Sequence, residues 1–379
     1  MWYSIACGVY EARINGQKAG RAFLAPGWTS YHNRLQYQTY DVTGLLTEEN
    51  EIKITVGNGW YKGELGFNAA PNRYGDRTAL LAMLFIEYID GEKTFIGTDT
   101  SWNVETGMIR FSEIYHGEIQ DLTAETKPAG AAVLFDKQEA VGKIIAQESE
   151  PVHVTKRFSM PWFPLYLRGG GAADADAECF TACALHTDMQ RTGNFVCDNG
   201  LVNQLQSNIE WGQRSNFLDI PTDCPQRDKR LGWTGDAQVF CGTASYNFNT
   251  ALFFAKWLRD MAAETTREWG VPHTVPNILG QQPGAAAWSD AAVIIPWTVY
   301  QVYGDKKLLA EQAARALFEQ AAPGMLDSPM VKFALDMPIS EIVTLAPEMM
   351  PLCQTAVDTM NAQIREQRKQ KKQKKTTKL

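Results

Sequence analysis

Asp219-Ile220-Pro221-Thr222-Asp223-Cys224-Pro225-Gln226-Arg227-Asp228-Lys229-Arg230-Leu231-Gly232-Trp233-Thr234-Gly235-Asp236 is a polar, charge-dense stretch in which proline and glycine fix the path of the chain. On both sides of it apolar residues recur at helical spacing. Upstream, Leu201, Leu205 and Ile209 fall at i, i+4 and i+8 behind Asp198, a residue type that caps helices. Downstream, the pattern predicts helices over 250–269 and 285–303, each followed by a glycine, Gly270 and Gly304, that suits a helix end. Pro296 should kink the second of them. A fourth helix is predicted over 306–321, stopped by Pro323-Gly324. The quoted stretch is therefore a loop on a helical scaffold, and loops on rigid scaffolds are where chemistry is most often carried.

Within those eighteen residues stand four acids, two arginines and a tryptophan. Carboxylates accept hydrogen bonds from paired hydroxyls, and an indole stacks on the C–H face of a sugar ring, so the set suits carbohydrate. Glycosidic hydrolysis needs two carboxylates flanking the scissile bond, about 6.5–9.5 Å apart for inversion or about 5 Å for retention, and this loop could supply one. The same residues equally suit a structural loop in which Asp223 caps a helix, Arg227 pairs with an acid and Trp233 packs. Residue types alone do not separate the two readings.

The front of the chain has a different period. Ala12-Arg13-Ile14 runs into Asn15-Gly16, the dipeptide that best supplies the two positive φ values of a type I′ hairpin turn. Ile52, Ile54 and Val56 alternate with Lys53 and Thr55, and short apolar runs at 79–89 and 94–96 are separated by turns such as Asp90-Gly91. Many short strands at such spacing predict a sandwich or jelly roll over 1–125. The chain opens inside an apparent strand at 4–13, so further chain is expected before it. Over 126–193 a strand is expected around Val152 and Val154. Pro161, Pro164 and Gly169-Gly170-Gly171 then break all periodicity, and the glycine run lacks the spacing of a phosphate loop and is read as linker.

Charge and cysteine usage exclude other classes. The formal net charge is −7, and the segment 365–379 holds eight basic residues against one acid, so the remaining 28 basic and 42 acidic residues give the body −14. An acidic body repels nucleic acid. The basic end has no apolar residue between Ile364 and Leu379 and is expected to be a disordered tail. Seven scattered cysteines with no C-x-x-C pair indicate neither a disulfide framework nor a zinc site, and no cofactor or metal is implied. Neither a leader with a basic and an apolar region nor an 18-residue apolar run is visible, so a cytoplasmic protein without membrane partners is expected.

The stretch from Pro221 to Asp236 resembles the signature of the bacterial α-L-rhamnosidases, inverting glycoside hydrolases with an (α/α)6 toroid. The resemblance extends through 181–214 and through Ala285-Ala286-Ala287-Trp288-Ser289-Asp290-Ala291-Ala292-Val293-Ile294-Ile295-Pro296-Trp297. Gly8-Val9-Tyr10-Glu11-Ala12, Ile14-Asn15-Gly16 and Leu24-Ala25-Pro26-Gly27-Trp28-Thr29-Ser30-Tyr31 are similar to the family's N-terminal β-sandwich. The resemblance implies that rhamnose-containing glycosides are the partners, that Asp223, Arg227, Trp233 and Asp236 line the rhamnose subsite, and that Trp288 packs on the sugar. It also implies a multidomain β plus α fold: a jelly-roll-like sandwich over 1–125, a remnant of a second β domain over 126–193, a partial toroid over 194–323, and a helical extension with the basic tail over 324–379.

Two departures from the family pattern bear on activity. Lys229 stands where the family carries its general-acid Glu, and the Glu that serves as general base comes from a later part of the toroid that the resemblance does not reach. Twelve helices of about 11 residues with loops of about 5 need roughly 190 residues. From Asn194 to the basic tail there are about 170. A truncated, rearranged relative is expected, impaired in hydrolysis or else a non-catalytic carbohydrate-binding remnant or gene fragment, with rhamnose released near the background rate whether or not Glu is restored at 229. Half a toroid is also expected to leave Phe253, Phe254 and Trp257 bare and to favour homo-oligomers.

Overall fold

The computed structural model describes residues 1–134, 142–159, 181–227 and 230–312. Asp228, Lys229, the stretch with Pro161, Pro164 and the glycine run, the later part of the helix expected at 306–321 and the extension at 324–379 lie outside the described residues. The chain divides into two compact units, Met1–Thr298 and Val299–Leu379.

The first unit begins with strands β1 (Trp2–Cys7), β2 (Val9–Ile14), β3 (Gln17–Lys18), β4 (Arg34–Tyr40) and β5 (Ile52–Gly57), the single turn α1 (Gly59–Lys62), then β6 (Ala79–Glu87) and β7 (Lys93–Gly97). Short strands follow: β8 (Asn103–Thr106), β9 (Ile109–Glu113), β10 (Gly117–Gln120), β11 (Lys127–Ala131), β12 (Lys143–Ala146), β13 (Val152–Ser159) and β14 (Thr181–Thr187). Asn15 and Gly16 take φ of 51° and 78°, and Ile14 pairs with Gln17, so the Asn-Gly turn forms as its chemistry dictates.

Among the described residues one sheet has the order β12-β4-β1-β6-β7 and a second the order β3-β2-β5. β1 lies antiparallel between β4 and β6, with Trp2 opposite both Tyr40 and Leu84. Trp2, Ala6, Ala82 and Leu84 from the first sheet meet Tyr10, Ala12 and Ile14 from the second in one buried core, which makes the pair a sandwich. The strand expected around Val152 and Val154 is β13, paired antiparallel with β14.

The helical part comprises α2 (Gly200–Asn216), α3 (Thr234–Asn247), α4 (Ala251–Glu264) and α5 (Ala291–Tyr303), with Pro296 inside α5. Asn199, not Asp198, caps α2, because Asn199 is the extended residue whose side chain reaches the Leu201 and Val202 N–H groups at 3.0 and 3.4 Å. α4 stops at Glu264, five residues short of the predicted end: the Thr265 hydroxyl and N–H both bond the Met261 carbonyl, and Thr266 and Gly270 then close a turn. Among the described residues no helix is long and apolar enough to cross a membrane.

Sequence patterning predicts bare Phe253, Phe254 and Trp257, and the structure corrects this by burying all three completely. Phe217 stacks on Phe253 with ring centroids 4.6 Å apart and meets Phe254 edge-on at 5.9 Å, while the Trp257 indole donates to the Val275 carbonyl at 2.9 Å. Exposed apolar side chains of the helical part include Leu201 and Leu205 of α2, Val239 and Tyr246 of α3, Leu252 of α4 and Val302 of α5.

Sandwich and helices meet across a buried ionic seam. Lys256 of α4 has no exposed surface, and its ammonium donates to the Trp28 carbonyl, to the Asp219 carbonyl at 3.2 Å and to the Asp219 carboxylate at 2.9 Å. The same carboxylate accepts from the Trp28 N–H at 2.5 Å. Gly27, at φ 91°, leaves room for that approach, since a Cβ there would stand 2.7 Å from the Asp219 carboxylate. Asp260, also wholly buried, pairs with Arg34 of β4 at 3.0 Å and lies 3.6 Å from Lys256. Arg34 in turn pairs with Glu148, which Arg259 holds from the helical side at 3.1 Å.

Lys256→Met removes the cation between two buried carboxylates, and breaking a buried pair in this way costs about 3–5 kcal/mol. Urea denaturation of the variant should show a loss of that order; stability within error of the parent would mean that the seam is held by its apolar surroundings alone.

Glu264 sits beside the seam, where burial pushes its carboxyl from the ordinary 4.5 up to about 7, against hydrogen bonds from Ser30 and the Asn277 N–H, the latter at 2.6 Å. A carboxyl whose folded pKa lies above its unfolded pKa keeps its proton in the native state while the unfolded chain has already lost it. Stability from this group is therefore full below about pH 4.5 and falls as pH rises toward 7, by about 3 kcal/mol in all. Glu264→Gln should flatten that part of the stability–pH curve and raise stability above pH 7, as read by thermal melting between pH 5 and 8.

Candidate functional site

The loop takes its shape from pairings at both ends. After α2, strand β15 (Phe217–Leu218) folds back on β16 (Ile220–Pro221) around Asp219, whose φ is 65°. Thr222 then donates to the Asn216 carbonyl through its N–H at 2.8 Å and its hydroxyl at 2.6 Å. Asp223 donates its N–H to the Leu231 carbonyl at 3.0 Å, which closes the residues between them into one excursion with left-handed Cys224 and Arg230 at its corners, φ 52° and 46°.

The far end is pinned to a second segment. Thr234 donates to the His273 carbonyl at 3.0 Å and Val275 to the Gly232 carbonyl at 2.8 Å, with Trp233 bridged to Thr274. Gly232 is required here, because a Cβ would come within 2.2 Å of the Val275 carbonyl oxygen. Trp233 then caps α3, and Asp236 falls in the first turn of that helix, where the helix dipole favours a carboxylate.

Of the residues that the sequence singles out, Asp223 and Arg227 are joined through Cys224. The Cys224 thiol donates to the Asp223 carboxylate at 2.8 Å, and the Arg227 guanidinium donates to the sulfur at 2.7 Å. That contact with Cys224 raises the affinity of the exposed Arg227 for its proton. Trp288 lies against the start of α3: a Cβ on Gly235 would stand 3.1 Å from the Trp288 indole nitrogen and 3.0 Å from the Ala287 carbonyl. Gln238 of α3 donates to that carbonyl, and the Asp290 carboxylate accepts from the Ala287 N–H at 2.9 Å. Trp233, Asp236 and Trp288 are thus gathered around one helix N-terminus.

The sequence did not point to the neighbours that the fold supplies from far away. The Arg230 guanidinium lies 4.2 Å over the ring of Tyr115 and donates to the Pro225 carbonyl at 2.9 Å. Phe67 meets Trp233 edge-on at 6.4 Å, and His273 lies 5.7 Å from Trp288, ring to ring. No local signal marks Phe67 and Tyr115, since their places depend on sandwich turns approaching the loop across more than a hundred residues of chain. Among the described residues no group of three or more His, Cys, Asp or Glu gathers as a metal site.

The alpha-L-rhamnosidase N-terminal domain matches residues 1–156, and the bacterial alpha-L-rhamnosidase 6 hairpin glycosidase domain matches residues 190–316. An alpha-L-rhamnosidase of Streptomyces avermitilis is 32% identical over 82% of this chain and 38% of its own length. One of Formosa agariphila is 29% identical over 82% of this chain and 43% of its own. The crystal structure of the Streptomyces avermitilis alpha-L-rhamnosidase complexed with L-rhamnose is similar with a TM-score of 0.76, covering 84% of this chain and 40% of that one. The chain therefore spans about two fifths of the length of these relatives.

Gly232→Ala should cost about 1–3 kcal/mol through overpacking against rigid backbone. Gly212→Ala, on an open stretch of α2 with nothing within 4 Å of the new methyl, should gain up to about 1 kcal/mol. Melting curves of the two variants moving in the same direction would contradict the pinned geometry of the loop.

Proposed function

We propose that this chain, which belongs to the bacterial α-L-rhamnosidase family, holds the terminal α-L-rhamnose of a glycoside and hydrolyses it little faster than water does. The observation that carries the binding half is the gathering of Trp233, Asp236 and Trp288 around the start of α3, with Asp223 and Arg227 linked on the same loop. Carboxylates and a guanidinium suit the ring hydroxyls, and indole faces suit the C–H groups and the methyl of a 6-deoxy sugar.

The catalytic half turns on residue 229. A general acid contributes about 10²- to 10⁴-fold and works best with a pKa near the operating pH. Lysine, with an unperturbed pKa of about 10.4, is a poor acid at neutrality. Its ammonium would also set positive charge beside an oxocarbenium-like transition state. Binding needs neither property, so a sugar site can persist where turnover fails. The exposed Leu201, Leu205, Val239 and Tyr246 also favour self-association.

Calorimetric titration with methyl α-L-rhamnoside should show binding that Asp236→Asn weakens at least tenfold, while nitrophenol release from an aryl α-L-rhamnoside stays near background. Robust turnover by the unmodified chain, abolished by Asp236→Asn, would overturn the catalytic half; the absence of binding at millimolar sugar would overturn the other.

A further inference from the structure

We infer that the sandwich supplies a second sugar subsite beside the loop, centred on Phe67 and taking the neutral pyranose ring to which the rhamnose is linked. The inference rests on the rhamnose-site reading above and extends it to the next ring of the substrate.

Phe67 is carried on a tight turn in which Leu65 and Ala70 exchange backbone hydrogen bonds of 3.2 Å and Gly66 and Ala69 take φ of 75° and 44°. This holds the ring at the tip, 54% exposed, with its edge contact to Trp233. An isolated exposed aromatic is ordinary on a protein surface. Here its neighbours distinguish it. A recess opens beside it, lined mainly by the sandwich residues Glu64, Leu65, Tyr115 and His116 and closed on the loop side by Arg230 and Leu231.

The polar groups around that recess are fixed. His116 and Glu64 pair at 2.9 Å with both side chains about two fifths exposed, which leaves them accessible to hydroxyls. Tyr115 accepts from the Trp60 indole at 3.1 Å, and its burial pushes the phenol up to about 12, so it stays neutral beneath Arg230. The recess holds about 10 Å³, room for one water, so a ring lies across its mouth on Phe67 and not inside it. A ring in that place has a C–H face for Phe67 and hydroxyls for the Glu64–His116 pair and Arg230. A flat phenolic aglycone would use only the first. The contact of Phe67 with Trp233 sets the new subsite directly beside the residue assigned to rhamnose.

Titration of the full chain with methyl α-L-rhamnoside, with an α-L-rhamnosyl-glucoside, with phenyl α-L-rhamnoside and with methyl β-D-glucoside separates the outcomes. The rhamnosyl-glucoside should bind about tenfold more tightly than methyl rhamnoside, a gain of about 1.4 kcal/mol. The phenyl glycoside should show less than a threefold gain. In Phe67→Ala the ratio of disaccharide to monosaccharide affinity should fall to near one, and in Phe67→Trp it should be kept. A ratio near one in the parent chain, or one unchanged in Phe67→Ala, overturns the subsite while leaving the rhamnose site intact. Equal gains from the phenyl and glucosyl aglycones would overturn its assignment to a sugar. Should methyl rhamnoside fail to bind while methyl β-D-glucoside perturbs the chain through Phe67, the rhamnose reading falls and the subsite stands; binding of neither overturns both.

Discussion

The ammonium of Lys256 is the constraint on which the rest of the first unit depends. A buried cation must be matched by charge and by hydrogen-bond acceptors, and each of its partners belongs to a different part of the chain: the Trp28 carbonyl to the sandwich, the Asp219 carbonyl and carboxylate to the turn after α2, and the Asp260 carboxylate to α4 itself. The hydrogen bonds to Trp28 and Asp219 therefore tie helix to sandwich and turn, and Asp260, 3.6 Å away, adds charge without a hydrogen bond. Asp219 is also four residues before Asp223, so the seam sets the point at which the functional loop leaves the fold. Desolvation raises the proton affinity of Asp260, with Lys256 and Arg34 opposing it, and this shows how closely balanced the cluster is. Ionic seams of this kind are directional where apolar contacts are not, and a loop that must present side chains at fixed positions needs the direction.

Local chemistry was legible in the sequence and long-range pairing was not. The Asn15-Gly16 turn requires only two adjacent residues willing to take positive φ, and it forms as read. The alternation at Ile52, Ile54 and Val56 likewise marks a strand. The existence of α2, α4 and α5 was readable from the 3.6-residue period, but their ends were not, and α3, whose apolar residues keep to no single face, was not expected at all. α5 begins at Ala291 instead of residue 285, since Ala287 at φ 73° and the Asp290 carboxylate bonded to its N–H hold a turn before the helix. For the site, the family-like stretch identified the loop, while Phe67, Tyr115 and His273 reach it only through tertiary contacts that no spacing encodes.

α2 shows most clearly why periodicity reveals a helix without revealing its partner. Its apolar stripe, Leu201 and Leu205, faces outward, and its buried face is polar. Glu210 is held by Arg191 at 2.5 Å and by Gln206 at 3.2 Å, Gln206 also reaches Asn247 at 3.1 Å, and Gln213 bonds both Asn247 and the Ala244 carbonyl at 3.1 Å. The helix is thus anchored by a satisfied polar network and keeps its hydrophobic side available. α4 differs in burying its large apolar residues Phe253, Phe254, Trp257, Leu258 and Met261 together with the ionic pair Lys256 and Asp260, while Leu252 faces outward. An outward apolar stripe on a polar-anchored helix is a surface suited to association.

The proposed separation of binding from turnover is supported by where the loop keeps its rigid parts. Interactions made equally with substrate and transition state tighten binding without accelerating the chemical step. The pinned elements, Leu231 to Thr234 against 273–275 and Trp288 against Gly235, place indole and carboxylate groups, and groups of that kind contact a bound sugar in its ground state. On the reading proposed above, proton delivery would fall to residue 229, which stands in sequence between Arg227 and Arg230. The pairings described for the framework lie at other residues, from Leu231 to Thr234 and at Trp288. On that reading a lysine in place of an acid at this position would lack the group that acts only in the transition state, while the pinned groups would still hold the sugar before it.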